Sequence, residues 1–329
     1  MHAIGGGAVR VAKIAFAATL LVVLVLHVGY QPIVDVLSEF AWWWLPVLLG
    51  IRVVALFVQS QRWRLFLASV DIRASSRRLF RSYWIARFFG SFSPGQLGGD
   101  VYRVLYGLDP SAKRTEVAST VLVERVSGMI GLMLVCAGAG YACFDAMKEA
   151  GLQFLPILAT GGALTLWVVA TTQAPARWTL KVVRQLPQSR ACSMASELVR
   201  ALAIHVARPK TLVVGIVLGI VFYTLLALEA LLAFHALGID INPVLVMIVV
   251  PMIALISCLP ITINGWGAAE ATSLLLYTQL GVTSPAAFSV ALLTRVSGTL
   301  ISGVGGLILL WEHVRKLALY RARVRPRHS

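Results

Sequence analysis

The sequence is 329 residues long, 58% hydrophobic and only 13% charged, a balance that excludes a water-soluble globular domain. Its net charge of +15 does not indicate nucleic acid, because the Lys and Arg residues fall in clusters between apolar runs and no basic, aromatic groove motif accompanies them. What remains is an integral membrane chain, long enough for several crossings at about 20 apolar residues each.

In chain order, continuous apolar runs predict spanning helices near 12–30, 41–60, 116–143, 153–173, 211–237 and 285–311. The first run, Ile14 to Tyr30, follows Arg10 and Lys13 in the manner of a signal peptide, but lacks a small-residue cleavage site and is read as a retained helix. Trp42, Trp43 and Trp44 open the second as an interfacial aromatic belt. Two further segments, about 76–108 and 243–281, are broken near their middles. The breaks are Ser93-Pro94-Gly95-Gln96-Leu97-Gly98-Gly99-Asp100 and Pro260-Ile261-Thr262-Ile263-Asn264-Gly265-Trp266-Gly267. Proline and glycine interrupt a helix there, giving either re-entrant hairpins or kinks whose freed backbone groups neighbouring helices satisfy.

The basic clusters lie at Arg62–Arg87, Arg103–Arg114, Arg177–Lys210 and Arg315–Arg327, whereas the intervening connections carry Asp35, Glu39, Asp145, Glu149 and Asp240. Positive charge marks cytoplasmic loops. An offset of 170 residues places Arg125-Val126-Ser127-Gly128 on Arg295-Val296-Ser297-Gly298, Leu122 on Leu292, Gly95 on Gly265 and Asp100 on Glu270. The expected fold is therefore an all-α polytopic membrane protein forming one transmembrane domain over 1–329. Its repeat units are about 41–143 and 211–311, each with a broken hairpin, followed by a basic cytoplasmic tail at 312–329. With both termini inside, the charge pattern is satisfied only if the two units are inverted and their hairpins dip in from opposite faces. That arrangement is the sequence pointer to a transporter site near the midplane.

Ionisable groups inside the apolar segments are Arg52, Asp100, Glu124, Arg125, Glu229, Glu270 and Arg295. Each costs about 2.5–3.5 kcal/mol at a helix centre and must face protein, water or another charge. Arg125 lies eight residues past Val117 and Arg295 ten past Pro285, about 12 and 15 Å into their helices, so both sit near mid-membrane. Inversion brings them toward a common centre flanked by Asp100 and Glu270, where a planar guanidinium suits a phosphate. Gly98 and Gly99, and Gly265 and Gly267, precede half-helices whose N-termini can bind an anion, although Asp100 and Glu270 can equally cap those termini. Arg103, one turn after Asp100, is either a phosphate contact or an ordinary interfacial arginine. Glu124 and Glu229 are candidates for proton coupling or buried partners of Arg52 or Arg125. Glu124 and Arg125 are adjacent and point about 100° apart, so they are not expected to line the same spot. Cys136, Cys143, Cys192 and Cys258 show no paired spacing, and His27, His205 and His235 no metal-ligand spacing, so no disulfide, metal or cofactor is expected.

Pro94-Gly95 with Gly98-Gly99-Asp100 and Arg103, Glu124-Arg125 with Gly128, and Leu259-Pro260 with Gly265, Gly267 and Glu270 resemble the flippase-like domain family that includes the transmembrane half of lysyl-phosphatidylglycerol synthase. The resemblance covers nearly the whole chain. It implies movement of an aminoacylated phospholipid, or a place beside glycolipid and hopanoid pathways; taken with the preference of the arginines for phosphate, the expected cargo is a lipid with an anionic or aminoacylated head group in the bacterial cytoplasmic membrane. Ala268-Ala269 depart from the glycine and arginine usual before the second acid. With about 17 residues expected beyond the last helix, aminoacyl transfer by a large soluble domain is not expected. No Walker A pattern is present, so movement is expected to be downhill, proton-coupled or driven by membrane potential. The alternatives are an intramembrane transferase, with Asp100 or Glu270 as base, and a non-catalytic partner of a lipid-modifying complex.

Overall fold

The structure, a computed structural model, describes residues 3–108, 112–172, 205, 208–259 and 261–324. The described residues form twelve α-helices and no β-strand. In order these are α1 (Ala3–Val28), α2 (Tyr30–Ser38), α3 (Leu45–Ala68), α4 (Ser76–Ser91), α5 (Leu97–Leu105) and α6 (Arg114–Ala142). There follow α7 (Phe144–Glu149), α8 (Phe154–Thr171), α9 (Pro209–Ala236), α10 (Pro243–Cys258), α11 (Ala268–Gln279) and α12 (Ser284–Val324). Five spans are long and apolar enough to cross a membrane, and α1 with α2, bent by 83° after Val28, makes a sixth if taken as one. Most of the basic segment 177–210, Cys192 and Pro260 fall outside the described residues.

Local chemistry sets the helix ends. Proline stands in the first turn of α3, α9 and α10, where its missing N–H costs nothing. The Ser75 hydroxyl caps α4 by accepting from the Arg78 N–H, and the Asn242 carbonyl caps α10 by accepting from Val244. Two helices outrun expectation. α3 continues to Ala68, so Arg62 lies on a packed helix rather than in a loop, and it is buried. α12 continues to Val324, so most of the basic tail is helical.

α6, about 43 Å long at 1.5 Å per residue, is the reference for direction. Around its start, Trp63 and Leu67 at the end of α3, Leu79 of α4 and Val117 of α6 share one core cluster. At its far end, Cys136 packs with Met147 of α7 and Ile248 near the start of α10, and Asn242 reaches Cys143. The Ala41 N–H donates to the carbonyl of Ala236, so α9 ends where α3 begins. Hairpin α4–α5 thus enters beside the start of α6 and hairpin α10–α11 beside its end. The first end of the bundle carries Arg73, Arg77, Arg78, Lys113, Arg114 and Lys210 with Asp71 and Glu116, and the second carries Asp35, Glu39, Asp145, Glu149 and Asp240 with Lys148.

Both breaks are true reversals, not kinks. A side chain at Gly99 would lie 2.5 Å from the Ala86 carbonyl oxygen, thirteen residues earlier. In a continuous helix that separation is about 20 Å. Val246 and Val249 of α10 likewise share a cluster with Leu274 and Tyr277 of α11. Trp42 and Trp43, in a 3-10 turn before α3, are exposed, whereas Trp44 turns inward and packs edge-on against His235 at 5.5 Å.

Candidate functional site

The two hairpin tips meet. Pro94 and Ile263 form an isolated antiparallel bridge, and the Asn264 N–H donates to the Ser93 carbonyl at 3.3 Å. The chain turns through left-handed residues at Gly95 and Gln96 in one tip and at Asn264 and Gly265 in the other. That geometry turns backbone carbonyls toward α6 and α12.

Arg125 on α6 donates from Nε to Asp100 at 2.5 Å and from Nη2 to the Gly95 carbonyl at 3.1 Å. Arg295 on α12 donates from Nε to Glu270 at 2.7 Å and from its two Nη atoms to the carbonyls of Asn264 and Gly265, at 2.9 and 3.2 Å. Its guanidinium also lies 5.2 Å over the Trp266 ring. Each arginine therefore clamps a hairpin tip onto a long helix. Of the two acids, Glu270 also caps its helix, accepting from the Gly267 N–H at 2.7 Å. Asp100 instead bonds Arg125 and lies 3.5 Å from Arg103.

Several sequence expectations change here. Gly98 and Gly99 do not leave a free N-terminus for an anion. The Gly98 N–H donates to Ser93 Oγ at 2.7 Å, and both glycines serve close packing of α5 on α4. Gly267 likewise spends its N–H on Glu270, and a side chain there would meet Ala17 and Leu20 of α1. Arg103 is not interfacial: it is 6% exposed and lies between Trp63 and Tyr83, at 4.4 and 4.5 Å from their rings. It donates to Glu124, which also accepts from Tyr83 and lies 3.5 Å from Arg62. Glu124 is thus the partner of Arg103, not of Arg125. Glu124 and Arg125 do face different neighbours, yet both border the same cavity, because that cavity is wide enough to touch two faces of α6. Glu229 behaves as the buried-partner alternative has it, with Arg52 Nε 2.6 Å away and Ser297 Oγ donating to it.

Inside the meeting of hairpins and long helices is a cavity of about 280 Å³, bordered by α3, α4, α5, α6, α9, α10, α11 and α12. Arg52, Arg62, Arg87, Arg103, Arg125 and Arg295 all line it. Charge clustering alone places Arg62 and Arg87 in a basic loop, whereas both face the cavity. The signal that finds Arg62 is the apolar run Leu65-Phe66-Leu67, which carries α3 past it. For Arg87 it is the run Tyr83-Trp84-Ile85-Ala86 before it and Phe88-Phe89 after it. Arg62 also sits over a gap where α6 and α9 cross at Gly128 and Gly219, and a methyl at either glycine would press on its guanidinium.

These features define a polytopic α-helical membrane protein with a guanidinium-walled cavity between two hairpins. The chain belongs to the family described as the lysylphosphatidylglycerol synthase TM region, whose model matches residues 10–306, and that ties it to lipid-related function at a membrane. It is also similar to a UPF0104 membrane protein of Methanothermobacter thermautotrophicus, 23% identical over 321 residues, covering 89% of this chain and 92% of that one. No solved structure matches it.

Proposed function

We propose that this protein is a flippase-like transporter, in which a lipid head group crosses through the cavity where the two hairpins meet while the acyl chains stay in the bilayer. It makes or breaks no covalent bond. The observation that carries this reading is the placement of six arginines around one cavity in a chain otherwise built for lipid. Burying such charge is costly unless it is used, and a wet, cationic cavity between apolar helices is what a polar head group needs in order to cross.

In this reading the basic end of the bundle is cytoplasmic, and the hairpins belong to two inverted units that rock about their touching tips. The Arg125–Asp100 and Arg295–Glu270 clamps hold each tip to its long helix. Opening toward one face loosens one clamp while the other stays closed.

The test is reconstitution into liposomes carrying labelled lipids with a range of head groups. Head-group translocation by wild-type protein, lost in Arg125→Ala and Arg295→Ala variants that still insert, supports the proposal. Wild-type protein that moves none of the panel refutes it, and a new lipid product found by mass spectrometry would make the chain a transferase instead.

A further inference from the structure

The charges around the cavity do not cancel, and the imbalance has a location. Of the ionisable side chains on its wall, six are arginines and three, Asp100, Glu124 and Glu270, are carboxylates, with Glu229 a fourth behind Arg52. Arg52 with Glu229 and Arg295 with Glu270 form neutral pairs. Arg62, Arg103 and Arg125 share only Glu124 and Asp100, in one chain of contacts that keeps one positive charge. Arg87 has neither an ion pair nor a side-chain hydrogen bond among the described residues, and it holds the second.

Unused donors accompany both charges. Nε and Nη1 of Arg62 and Nε of Arg103 have no acceptor, although these residues are only 4% and 6% exposed. Arg125 makes no bond through Nη1. Tyr277, 1% exposed and also on the wall, has a hydroxyl with no partner. Buried polar groups are ordinarily hydrogen-bonded; Thr262, Ser289 and Glu312 leave orphan atoms elsewhere, but every guanidinium nitrogen so left belongs to a residue on this one wall.

We propose that the head group bound here is a dianion, a phosphomonoester, whose two charges match the two uncompensated guanidiniums, with Arg87 as a direct contact. This rests on the transport reading above. A phosphomonoester presents three terminal oxygens to planar guanidinium forks. A head group bearing a lysyl ester has more ammonium than phosphate charge, and a cavity with two surplus positive charges repels it. The inference therefore narrows the lipid to the acidic class and sets aside aminoacylated ones.

The experiment is native mass spectrometry and thermal unfolding of the full-length protein in detergent. The probes are phosphatidic acid, phosphatidylglycerol, phosphatidylethanolamine, lysyl-phosphatidylglycerol and inorganic phosphate. Phosphatidic acid should bind about tenfold or more tightly than phosphatidylglycerol, and lysyl-phosphatidylglycerol should bind most weakly. Arg87→Gln should remove about tenfold of that preference, Arg87→Lys should keep most of it, and Arg64→Gln, outside the cavity, should leave it intact. Inorganic phosphate that stabilises the protein as far as phosphatidic acid supports the dianion and makes its source soluble. Equal or tighter binding of lysyl-phosphatidylglycerol by the wild type overturns the inference, as does unchanged preference in a folded Arg87→Gln protein. Lysyl-phosphatidylglycerol moved in liposomes while phosphatidic acid is not leaves transport standing and removes this inference, whereas no lipid bound or moved removes both.

Discussion

Arg125 and Arg295, 170 residues apart, make the same pair of contacts: each donates Nε to the carboxylate 25 residues before it and Nη2 to the glycine carbonyl 30 residues before it. Two helices and two hairpin tips thus share one clamp design. The acids differ in surroundings, since the Glu270 side chain is 1% exposed and the Asp100 side chain 20%, with Arg103 still 3.5 Å from the latter. Arg295→Ala therefore strands a buried carboxylate and should cost about 3–5 kcal/mol. Arg125→Ala should cost about 1–3 kcal/mol, because Asp100 keeps a cation and some water. Thermal unfolding of the purified variants checks the order, and equal losses would contradict it.

The bridge between Pro94 and Ile263 places the hairpins tip to tip. In a background where the four native cysteines are serine, Pro94→Cys with Ile263→Cys should cross-link under mild oxidation. Because the two units rock about these touching tips, the oxidised protein should keep its lipid movement. Movement lost on oxidation and regained on reduction would contradict that pivot.

Arg103 lies between two aromatic rings while its guanidinium reaches Glu124. A lysine cannot stack as a plane or fork onto the carboxylate. Arg103→Lys should lower stability by about 2 kcal/mol despite keeping the charge. A melting temperature unchanged from wild type would show that the stacking contributes little.

His205 lies outside the spanning segments, between Ser69 and Ser119. Burial pushes its pKa down to about 4, with Arg208 adding to the effect. The unfolded chain, at the ordinary value of 6.5, takes up a proton first. Stability from this residue is complete above about pH 6.5 and falls as pH drops toward 4, by up to about 3 kcal/mol. His205→Gln should flatten the melting temperature between those pH values, and an unaltered slope would contradict this.

The spans and both reversals were legible in the sequence because apolar runs are long and the Gly/Pro breaks stand inside them. Asp100, Arg125, Glu270 and Arg295 were legible for a related reason: a charge inside an apolar run has few explanations. Arg62, Arg87 and Arg103 were harder. Each adjoins a basic loop, and a linear reading cannot separate an arginine that turns inward from one that faces solvent. Trp63 and Tyr83 mark Arg103 as buried only once α3 and α4 are folded together. Glycine was ambiguous in the same way, since Gly98 and Gly99 have one composition whether they admit a ligand or a neighbouring helix.

Occupation of the arginine-walled cavity by a lipid head group can be seen in a density map of the protein in nanodiscs containing acidic phospholipid. The map should place a phosphate within hydrogen-bond reach of Arg87 or Arg125, with its acyl chains leading out between helices. An empty or merely hydrated cavity, with lipids confined to the outer surface of the bundle, would contradict the account.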